Sequence, residues 1–111
     1  MKQSKELVKK KLDREKLFKK QLKERGWTDE DTWSLDWSIS KFILPRLKRF
    51  KEINTCYPYK QTKKSWDKKI DKMIKAFELA SKGAWDMTTG EFKTAQEGIE
   101  LFAKHYFELW W

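Results

Sequence analysis

The sequence predicts an all-α fold, a small four-helix bundle, and three observations predict it. Apolar residues recur at three- and four-residue spacing along four segments. No useful stretch alternates with the two-residue period of a strand. Only four Gly and two Pro occur, and they fall where helices should stop or bend. A chain of 111 residues makes a single domain, 1–111, and buries about 65% of its unfolded surface in one modest core.

The first segment, about Ser4 to Arg25, carries Leu7, Val8, Leu12, Phe18 and Leu22 on one side of a helix, with Leu17 at its flank. Gly26 ends it. This stripe is thin for its length, so the basic 1–25 helix is expected to project from a helical core over 27–111, to pair with a second copy, or to order only on binding. Thr28 then reads as an N-cap with Asp31 in the reciprocal capping position, and Asp29, Glu30 and Asp31 face the positive end of the helix dipole. The second helix runs through Trp33, Leu35, Trp37, Ile39 and Phe42 to Pro45, where a missing N–H predicts a kink or a break. It resumes through Leu47, Phe50 and Ile53. Residues 54–64 form a loop. Ser65 is the expected cap of a third helix with Trp66, Ile70, Met73, Ile74, Phe77 and Ala80 on one stripe, closed by Gly83. After a connection over 83–90, a fourth helix carries Phe92, Ala95, Ile99, Phe102, Tyr106 and Leu109.

Charge is distributed unevenly. The whole chain carries +9, from 26 Lys and Arg against 17 Asp and Glu. Residues 1–25 hold eleven cations and four acids, a net of +7, and the remainder holds fifteen and thirteen, a net of +2. Such a field attracts phosphate, with affinity that falls as salt rises; it equally describes a solvated helix face. Aromatic residues make up 15% of the chain, far more than a disordered basic tail carries, so the chain folds around rings.

Candidate contacts follow from cations and rings at short range. Lys41, Arg46, Lys48, Arg49 and Lys51 cluster beyond Pro45. Projected on an unbroken helix, Arg46 and Asp36 fall on the apolar side, where a buried charge costs several kcal/mol unless paired. They are therefore expected either as a structural ion pair or a hydrogen-bonded Asp near the helix bend, or as a polar pocket in which Arg46 takes a phosphate or carboxylate in bidentate geometry. Trp33 and Trp37, four apart with Leu44 on their face, are read as bundle core or as a stacking platform or partner anchor. The loop Tyr57-Pro58-Tyr59-Lys60 suits base stacking and phosphate pairing. Trp110 and Trp111 are expected to tuck into the domain or into a seam between copies.

Other chemistries are excluded or disfavoured. One cysteine, Cys56, permits neither an internal disulfide nor a thiolate zinc cluster, and suits a reducing compartment. One histidine, His105, removes paired-histidine metal sites and reads as packed or surface histidine. Asp29-Glu30-Asp31 is accounted for by capping and Asp67/Asp71 by pairs such as Asp71–Lys75, so no metal and no cofactor is expected. There is no phosphate-cradling glycine loop, nucleophile elbow or catalytic carboxylate pair, and the protein is expected not to be an enzyme. No run reaches the roughly 20 apolar residues of a membrane span, and no signal peptide is read at the N-terminus, so a cytoplasmic protein is expected, with membrane headgroups a weak alternative for the basic helix.

Trp33-Ser34-Leu35-Asp36 followed by Phe42-Ile43-Leu44-Pro45-Arg46-Leu47-Lys48-Arg49-Phe50-Lys51 resembles a family of small phage- and prophage-encoded helical proteins. Trp66…Asp71-Lys72-Met73-Ile74-Lys75-Ala76-Phe77-Glu78 and Phe107-Glu108-Leu109-Trp110-Trp111 are similar to the same family, over about residues 27–111. The resemblance implies a phage origin, hence host cytoplasm and a role against host defence or machinery. It carries no activity and no site residues. Together these readings predict a non-enzymatic binding protein for an anionic, ring-bearing partner. That partner is a signalling nucleotide it sequesters or a nucleic acid, with contacts from Arg46, Lys48, Arg49, Tyr57, Tyr59, Trp33, Trp37 and Asp36. The competing reading is an inhibitor that occludes a host or defence protein. A homo-oligomer is compatible with either.

Overall fold

A computed structural model describes residues 2–111, with side chains from Lys5 onward. The described residues form four α-helices and no strand: α1 (Lys2–Arg25), α2 (Leu35–Ile53), α3 (Lys63–Ala80) and α4 (Thr89–Lys104). Short 3-10 turns lie at Asp29–Thr32, Ala84–Asp86 and Tyr106–Glu108. The chain divides into two compact units, 1–35 and 36–111.

In the first unit, α1 ends at Gly26, whose φ of +82° is the left-handed conformation that glycine adopts without a Cβ penalty. The turn behind it is fastened by Asp29. Its carboxylate accepts from Gln21 Nε2 and Arg25 Nη2, each at 2.7 Å, while its backbone N–H donates to Gln21 Oε1 at 2.8 Å. Gln21 and Arg25 together hold the Asp29 carboxyl below its ordinary range. The expected capping box exists: the Thr28 N–H donates to Asp31 Oδ2 at 2.9 Å. It opens the 3-10 turn, and α2 begins only at Leu35.

The second unit is built on α3. Trp66, Ile70, Met73 and Leu79 are fully buried, with Phe77 and Leu47 beside them, so the predicted α3 stripe is the core. Ile43, Leu44 and Phe50 of α2 and Leu101, Phe102 and Leu109 of the C-terminal part close over it. α3 and α4 approach most tightly where Gly98 leaves room: a Cβ there would stand 2.4 Å from both Ala76 Cβ and the Lys72 carbonyl oxygen. α3 is capped by Thr62, not Ser65. Ser65 occupies the reciprocal position, accepting from the Thr62 N–H at 2.9 Å. α4 has the equivalent box in Thr88 and Glu91.

α2 runs unbroken through Pro45. Its buried face, Ser40 and Leu47 with Ile43, Leu44 and Phe50, lies between the two apolar faces read from sequence. Leu35, Ile39 and Phe42 consequently remain exposed. Ser40 satisfies its hydroxyl by donating to the Asp36 carbonyl at 2.7 Å. α2 is tied to α3 by Lys51–Asp71 at 2.5 Å and Lys48–Glu78 at 3.4 Å, so Asp71 pairs across helices and not with Lys75. No described helix is long and apolar enough to cross a membrane.

Candidate functional site

α1 displays its charge along a line. At 100° per residue, Lys5, Lys9, Lys16, Lys20 and Lys23 fall within about 60° of one another, a stripe running about 27 Å. Glu6, Asp13 and Glu24 flank it on one side. Lys20 reaches Glu24 only at 3.9 Å, and Lys5, Lys9, Lys16 and Lys23 form no ion pair among the described residues. On the same helix Leu7, Val8, Leu12 and Leu22 are all at least half exposed. Trp33, at the end of this unit, is 88% exposed, which corrects the reading of it as core.

In the second unit the predicted cations divide by partner. Lys48 pairs with Glu78 at 3.4 Å and Arg49 with Glu52 at 2.8 Å, exposed pairs that offset part of each charge. Arg46 is exposed, and the expectation of a buried charge on the apolar side is wrong for it and for Asp36 alike. For Arg46 the reason is the shifted core face of α2, which leaves it beside the packing instead of under it. Asp36 is on that face but in the first turn of the helix, ahead of its first buried residue, Ser40. Arg46 Nη1 donates to the Phe42 carbonyl at 2.8 Å and its guanidinium lies 3.6 Å from the Phe42 ring centroid. It meets no carboxylate at ion-pairing distance among the described residues, and lines an open hollow with Ile43, Phe50, Phe102, Tyr106 and Leu109. Lys41 stacks over Trp37 in the same manner, at 3.8 Å. Trp37 in turn donates its indole N–H to the Ser81 carbonyl at 2.9 Å, so it is half structural and only partly available.

The loop after α2 starts at Asn54, which is buried and grips Cys56 from both sides: Nδ2 donates to the Cys56 carbonyl and Oδ1 accepts its N–H. This holds out Tyr57 and Tyr59, the latter 92% exposed, over a tight turn in which Lys60 has φ +70°. Tyr57, Tyr59, Cys56 and Pro58 line a hollow of about 280 Å³ with Glu108 and Trp110. Trp110 and Trp111 are both exposed, so they do not tuck into their own domain. His105 is buried, edge-on to Trp66 at 5.3 Å, with Nδ1 2.9 Å from Glu108 Oε1, a packing histidine as read from sequence.

Sequence reasoning missed a groove of about 510 Å³ between α2, α3 and α4. Its walls are Ile39, Phe77, Ala80, Met87, Phe92, Ala95, Ile99 and Ala103, with Ser40 among them and Asp36, Gln96 and Glu100 as polar members. No Lys or Arg lines it, although the protein is strongly basic. Its signal in the sequence was the second-helix residue Ile39 together with Phe92 and Ile99, large apolar residues on stripes wider than one packing layer covers. No group of three or more His, Cys, Asp or Glu among the described residues could hold a metal ion. No family model, curated protein or solved structure matches the chain.

Proposed function

We propose that this protein is a non-enzymatic nucleic-acid-binding protein. The observation that carries this reading is the lysine stripe of α1, charge laid out over about 27 Å of exposed helix with few internal partners. That layout suits a run of phosphates more than a single nucleotide, which would call for an enclosed cationic pocket. The open hollows beside Arg46 and beside Tyr57 and Tyr59 offer a charge and ring faces for bases, not enclosure. Exposed Trp33 adds a further stacking surface. The resemblance to phage-encoded proteins would put this binding in the host cytoplasm.

Fluorescence anisotropy with a labelled 20-nucleotide strand and the matching duplex, across a salt series, tests it. Binding should weaken steeply with salt, by a slope near 0.7–0.9 per phosphate neutralised. The variant Lys9→Gln/Lys16→Gln/Lys20→Gln should flatten that slope by about 2 to 3. Absent or salt-insensitive binding overturns the reading.

A second reading, an inhibitor that occludes another protein, is favoured by the exposed rings Trp85, Phe107, Trp110 and Trp111, residue types that anchor protein interfaces. Co-purification of one host polypeptide with nucleic-acid-free protein supports it.

A further inference from the structure

The second unit leaves the groove between α2, α3 and α4 open, the first unit packs nothing of its own over the leucine-bearing face of α1, and the two surfaces are complementary. The groove is apolar, its charged members are the carboxylates of Asp36 and Glu100, and it spans α4 from Phe92 to Ala103, about three helical turns. α1 carries Leu7, Val8, Leu12 and Leu22 on one face, with Lys11 and Lys19 and a single acid, Glu15, projected on the same arc, a net of one positive charge. We infer that the groove seats α1 of a second copy of this chain, with the leucines as anchors and the lysines against the acidic members.

Two such contacts are equivalent under a twofold axis, so each copy both gives and receives a helix, and the assembly closes as a dimer. The lysine stripe lies about a third of a turn from the leucine face. Docking therefore leaves it outward, and the dimer presents two stripes. This goes beyond the nucleic-acid reading and is measured without nucleic acid, so either can fail alone.

The test is the molar mass of the full chain by light scattering and sedimentation equilibrium, from about 1 to 200 µM. The mass should rise with concentration from 13.6 kDa toward twice that value. Leu12→Lys on α1 and Ile99→Lys in the groove both alter exposed side chains, so the fold should persist, as circular dichroism will verify. Each should shift the association midpoint by at least tenfold. An equimolar mixture of the two should associate more tightly than either variant alone and less tightly than the wild type, because one of its two contacts joins a sound helix to a sound groove while the other carries both substitutions. A wild type that stays at 13.6 kDa throughout overturns the inference. So does a dimer indifferent to Ile99→Lys, whose interface lies elsewhere, or one indifferent to Leu12→Lys, whose occupant is not α1. A mixture of folded variants that associates no better than either variant alone overturns it as well.

Discussion

Gly98 of α4 and Ala76 of α3 touch where neither has a side chain beyond a methyl group. The carbonyl oxygen of Lys72 is as close to the position of the missing Cβ as the Ala76 methyl is. A methyl group at residue 98 would have to push backbone as well as side chain, and the helix backbone of α3 does not yield easily. Gly98→Ala gains helix propensity, worth about 1 kcal/mol, yet overpacking costs about 1–3 kcal/mol or more. The net should be a loss of stability in urea unfolding, and Gly98→Val should lose more.

Trp66 is the largest fully buried side chain, and it also supports the His105 ring. Trp66→Ala should cost about 3–5 kcal/mol, a large share of what a domain of this size possesses. Thermal melts should show it unfolded or close to it at 37 °C. Trp66→Phe should retain most of the stability.

Acid should loosen two local joints. Asp29 is lowered by Gln21 and Arg25, and Glu91 is lowered by the Thr88 N–H and by Lys82. A carboxyl whose folded pKa lies below its unfolded one supplies stability above the unfolded value and loses it as pH falls through the folded one. Both contributions should thus be complete at neutral pH and vanish below the ordinary carboxylate range. Glu91→Gln should weaken the protein at pH 7 and flatten the acid limb of its stability profile, as urea midpoints at pH 3, 5 and 7 will register. Lys51 behaves oppositely: its bond to Asp71 raises it, so its share persists up to the ordinary lysine range and is lost as pH climbs through the raised value.

Trp33 is almost fully exposed, so Trp33→Ala should leave the melting temperature unchanged within about 2 °C. If bases stack on it, affinity for a single strand should drop by about tenfold with little change in salt slope. An unchanged affinity would remove Trp33 from the contact surface.

What the sequence disclosed was mostly local. The boxes at Thr28–Asp31 and Thr88–Glu91 involve residues three apart, and both are legible from residue type alone. The α3 stripe was legible because Trp66, Ile70, Met73 and Phe77 are flanked by charge, which leaves only one way to bury them. α2 was harder. Apolar residues occupy more than half of its circumference, and periodicity cannot say which part a neighbour covers. The core chose the arc through Ile43 and Leu47, which put Arg46 outside and left Ile39 on a groove, while Asp36 is exposed by its place in the first turn. The tight α3–α4 approach depends on Gly98 meeting Ala76 across the bundle, and nothing near Gly98 in sequence marks it as a contact.

Of the seven tryptophans, Trp66 alone is buried. Bulk emission therefore comes mostly from water-exposed indoles before any unfolding begins, and a denaturation curve followed at one wavelength will have small amplitude. Acrylamide quenching should separate one shielded emitter from six accessible ones. The same imbalance makes the intrinsic signal a sensitive reporter of surface occupancy: whatever settles on this protein should dim or shift its fluorescence more than melting it does.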